Sequence, residues 1–81
     1  MIDATNLERA QELLLSLDGD SRGEHPLRTL WAVEAVDRLR KAGAPDGLVR
    51  EVHPNVHQPD KLHPVASELL RWCLANDKGA R

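Results

Sequence analysis

Apolar residues recur three and four positions apart in three separate blocks of this chain, and that spacing restricts each block to an α-helix. Leu7, Ala10, Leu14 and Leu17, widened by Leu13, make the first stripe. Trp31, Ala35, Leu39 and Ala42 make the second, with Ala32 and Val36 beside it. Val65, Leu69, Trp72 and Cys73 make the third.

Start and stop signals bound the blocks. Thr5-Asn6-Leu7-Glu8 fits a capping box, and Asp18-Gly19-Asp20-Ser21 reads as a stop with Gly19 as a left-handed cap, so helix 1 is expected over 5–17. Pro26 suits a first helical turn, where its missing N–H costs nothing. Gly43 then closes helix 2, expected over 26–42. Glu34–Arg38 and Asp37–Lys41 are acid-before-base pairs one turn apart on its outer side. Pro45-Asp46-Gly47 opens a short third helix over 46–52, and Pro64 opens the last, over 64–76, which Asn76-Asp77-Lys78-Gly79 allows to fray. Between them, His53 to His63 holds Pro54 and Pro59 and reads as an irregular loop too uneven to bury both Val56 and Leu62. The expected fold is one all-α domain spanning 1–81: a compact bundle of three long helices and one short helix, with a Pro- and His-containing loop before the last.

The chain has 81 residues, one cysteine and no Tyr or Phe. A domain this small buries only about 60% of its unfolded surface, and Cys73 alone cannot make an internal disulfide. No apolar run nears the roughly 18 residues that span a bilayer, and Met1–Ala10 lacks the basic start and apolar stretch of a signal peptide. These features predict a cytoplasmic protein without membrane contact. Charge is uneven: residues 1–24 carry six acids against Arg9 and Arg22, a net −4, and the rest nets +2. Neither half has the dense basic stripe of a nucleic-acid footprint. The eleven-residue stretch before helix 4 is also too long for a helix-turn-helix.

Catalytic signatures are missing. No serine sits in a nucleophile elbow, no glycine spacing matches a phosphate loop, and Asp18/Asp20 flank Gly19 as a helix stop. His53, His57, His63 and Cys73 are of metal-ligand type, but zinc-site spacing is absent, so neither metal nor cofactor is expected. Cys73, on an apolar face with Leu69 and Trp72, reads as an inert buried thiol. His25-Pro26, His53-Pro54 and His63-Pro64 read as helix or turn starts, with a pH-responsive surface as the functional alternative.

The pieces Asn6–Leu17, Pro26–Ala42, Asp46–Val52 and Pro64–Asn76 resemble, in order and length, the colicin-type immunity proteins. That resemblance implies a small cytoplasmic four-helix inhibitor that occludes another protein. It does not extend to motifs. Arg38-Leu39-Arg40-Lys41 stands where that family's second helix is acidic, and Leu48-Val49-Arg50-Glu51 stands where its third helix bears tyrosines.

The expected function is therefore non-enzymatic protein–protein binding, as an inhibitor, immunity-like factor or adaptor of the short, motif-poor kind that phages and mobile elements encode. A prolonged loop in a small domain is often functional, and its prolines lower the entropy lost on docking. The partner-binding residues expected on this basis are Glu51, Val52, His53, Asn55, Val56, His57 and Asp60. The alternatives are a nucleic-acid-binding regulator and, third, a His-rich metal module. Helix 2 is apolar round about half its circumference, which fits either a twofold partner or a central position in the bundle.

Overall fold

The first stripe folds as α1, Ala4–Gly19, and Leu7, Ala10, Leu13, Leu14 and Leu17 are all buried along it. The computed structural model describes residues 4–77; Lys78 and Gly79 of the expected fraying end lie outside them. Two boundary expectations for α1 are corrected. Thr5 lies inside the helix, preceded by Ala4, and is not its cap. Gly19 is the last helical residue and is not left-handed; among the described glycines only Gly23 (φ +71°) and Gly43 (φ +87°) are. The helix outruns its expected stop because a distant side chain serves its end: Arg28 Nη1 donates to the Leu17 carbonyl at 2.9 Å, one of the last-turn oxygens that have no partner inside a helix.

The second helix, α2, spans Arg28–Ala42, two residues later than Pro26 suggests. The chain first makes a tight turn in which the Arg28 N–H donates to the His25 carbonyl at 3.1 Å. Ala32, Ala35, Val36, Leu39 and Ala42 are buried, as their spacing predicts. Gly43 ends α2 in a left-handed turn: its N–H donates to Arg40 O at 3.1 Å and the Ala44 N–H to Leu39 O at 2.9 Å, a pattern that satisfies the last carbonyls. Both expected turn-spaced ion pairs form, Arg38–Glu34 at 3.4 Å and Lys41–Asp37 at 3.0 Å.

The third helix, α3, is shorter than expected, Asp46–Val49. The chain then continues as linked turns, with Glu51 N–H to Leu48 O, Val52 N–H to Val49 O, Val56 N–H to His53 O and Gln58 N–H to Asn55 O, all within 3.2 Å. The last helix, α4, runs Pro59–Asp77 and contains Pro64. This corrects the expected start at 64: Pro59 is the proline at the helix start, and Pro64 sits inside. An interior proline costs about 3 kcal/mol where it breaks a buried ladder. Here the carbonyl it deprives belongs to Asp60, and both residues are exposed. The helix holds through the proline because Leu62 and Ala66, on either side of it, are fully packed.

Both α2 and α4 pack on α1, and α3 packs on α2 and α4. Arg9 reaches Glu34 and Arg38 reaches Asn6, so α2 runs antiparallel to α1. The bond between Asp18 and His63 joins the end of α1 to the start of α4, which makes α4 antiparallel to α1 as well. Helix α1 is thus the shared partner of the two long helices. The core is aliphatic, one cluster reaching from Leu7 through Val36, Val49, Val52 and Val56 to Cys73, with Trp31 and Trp72 half-buried against its sides.

Candidate functional site

The segment expected to bind a partner divides by side chain. Val52 is fully buried and Val56 is 8% exposed, so both belong to the core and neither offers a surface. Leu62 is likewise 1% exposed, which overturns the expectation that this stretch cannot bury its apolar residues. The turns from 50 to 58 advance the chain three or four residues at a time, enough to point Val49, Val52 and Val56 inward in succession. What remains outside is Glu51, His53, His57 and Asp60, with Asn55 half-buried. Asn55 Nδ2 is spent on the Glu51 carbonyl at 2.8 Å. The exposed remainder is small and polar, two carboxylates and two imidazoles.

A second cluster sits where α1 ends and α2 begins, and its centre gave no signal in the sequence. Arg28 is 1% exposed, the largest fully buried side chain among the described residues. Its Nε donates to the Val56 carbonyl at 2.6 Å. Its Nη1 donates to Leu17 O at 2.9 Å and to Asp20 O and Oδ2, each at 3.2 Å. Nη2 is buried with no hydrogen-bond partner. One cation thus ties α1, the 20–27 turn, α2 and the 50–58 segment together. Asp20 also accepts the His25 N–H at 2.8 Å. That bond above all holds its carboxyl below the ordinary value of 3.8; burial opposes it, and the Arg28 guanidinium adds to the lowering. Gly23 is left-handed here, and a β-carbon on it would stand 2.7 Å from Pro59 Cγ.

The same turn shapes the outer face of α2. The His25 ring stacks on Trp31 with centroids 4.3 Å apart and planes at 26°, and its Nδ1 accepts the Leu27 N–H at 3.1 Å. His25 thus lies in the turn two residues ahead of the N-cap Leu27, and not at the N-cap that its place before Pro26 suggests. With Trp31 held against the core, Leu27, Leu30 and Val33 are left outward, 45%, 64% and 48% exposed. They follow one another every three residues, Leu27 at the N-cap of α2 and Leu30 and Val33 within its first two turns. The other large exposed apolar side chains among the described residues, Leu15 and Leu74, stand on different helices. Glu34, one turn after Leu30 on the same outward face of α2, is fixed to α1 by charge. Arg9 bonds both carboxylate oxygens of Glu34 at 2.9 and 3.2 Å, and this holds the Glu34 carboxyl below its usual range.

The remaining candidates do not converge. Among the described residues no group of three or more His, Cys, Asp or Glu could hold a metal ion. His63 bonds Asp18 through Nδ1 at 2.6 Å, while Cys73 is buried in the core. No helix among the described residues is long and apolar enough to cross a membrane. No protein-family model, curated protein or solved structure matches the chain, and α3 and α4 depart from the element lengths on which the likeness to colicin-type immunity proteins rested.

Proposed function

We propose that this chain is a non-catalytic, cytoplasmic protein-binding module, an inhibitor, immunity-like factor or adaptor, and that it docks through the outward face of α2. One observation carries this reading: Leu27 at the N-cap of α2, and Leu30 and Val33 in its first two turns, are all close to half or more exposed. Exposed apolar residues scattered singly are ordinary, whereas a contiguous set marks a contact surface. The strip stands on a helix whose other side is packed in the core and pinned by Arg28, so it is presented rigidly and loses little entropy on docking. The 51–60 segment, with its valines turned inward, would add at most a polar rim from Glu51, His53, His57 and Asp60.

The test is affinity capture of the tagged protein from its native cells, with nuclease and chelator present, for wild type, Leu30→Glu and His57→Ala. Wild type and His57→Ala should recover one dominant protein at fixed stoichiometry. Leu30→Glu should weaken that interaction by about 30-fold or more, as for a central contact residue, while melting within a few degrees of wild type. Capture lost in His57→Ala but kept in Leu30→Glu would move the site to the 51–60 segment. Capture of no protein by wild type would remove the reading.

A further inference from the structure

We draw no further inference here: the strongest candidate, the outward apolar face of α2 at Leu27, Leu30 and Val33, belongs to the site already described, and nothing in the structure shows what covers it.

Discussion

Arg28 concentrates the physical tension of this molecule. It is a cation in the first turn of α2, the end of a helix that disfavours positive charge, and it is 1% exposed. Taking a guanidinium out of water costs several kcal/mol, and only a full set of acceptors offsets it. The Val56, Leu17 and Asp20 carbonyls and the Asp20 carboxylate provide most of that set. Arg28→Met should therefore destabilise the fold by about 3–5 kcal/mol, read as a lower urea midpoint; an unchanged midpoint would mean the junction is held by packing alone. Arg28→Lys keeps the charge but not the planar fork that reaches several carbonyls, and should recover only part of the loss. Asp20 gives the junction a pH dependence. Because its carboxyl is held below 3.8 in the folded protein, its contribution is fully present above that value and is lost as pH falls through the lower, folded value. Glu34, depressed through Arg9, acts with the same sign. Stability should therefore decline more steeply below about pH 4 in wild type than in Asp20→Asn, a comparison made by urea titrations at successive pH values. Equal slopes would show that Asp20 has no preferential hold on its charged form.

At the scale of elements, the glycines separate roles that look alike in sequence. Gly23 and Gly43 are both left-handed, but a β-carbon at 23 would strike Pro59, whereas at 43 it would meet nothing within 4 Å. Gly43→Ala should cost about 1–2 kcal/mol, the backbone term alone. Gly23→Ala should cost more, since Pro59 at the start of α4 must also shift. Gly19 has neither constraint, so Gly19→Ala should stabilise the end of α1 by up to about 1 kcal/mol. Thermal melts of the three variants rank them, and a destabilising Gly19→Ala would restore that glycine as a required cap. The stretch before α4 carried a readable signal that its prolines mask. Val49, Val52, Val56, Pro59, Leu62, Ala66, Leu69 and Cys73 step by three or four residues throughout. Three X-Pro pairs argue locally against helical geometry, but the period continues across them, and burial of Val56, Leu62 and Ala66 outweighs the local preference.

At the scale of the molecule, one aliphatic cluster joins every element, so no part has a core of its own. Unfolding should then be a single transition. Trp31 on α2 and Trp72 on α4, both half-buried against that cluster, make this measurable: tryptophan fluorescence and far-ultraviolet circular dichroism should give coincident urea curves. A fluorescence change that precedes the loss of helix would reveal a flank that detaches first. The sequence by itself determined the helical class, the first two buried stripes, Leu69 and Cys73 of the third, and the Gly43 stop, because these depend on the spacing of neighbours along one helix and on backbone sterics. Only the tertiary structure decided that Arg28 is interior, that Val52 and Val56 face the core, and that Leu27, Leu30 and Val33 do not. A charge is buried only where carbonyls from distant segments meet it, and an apolar face is exposed only where no other element arrives to cover it. Both depend on contacts between residues far apart in the chain, which local spacing does not encode.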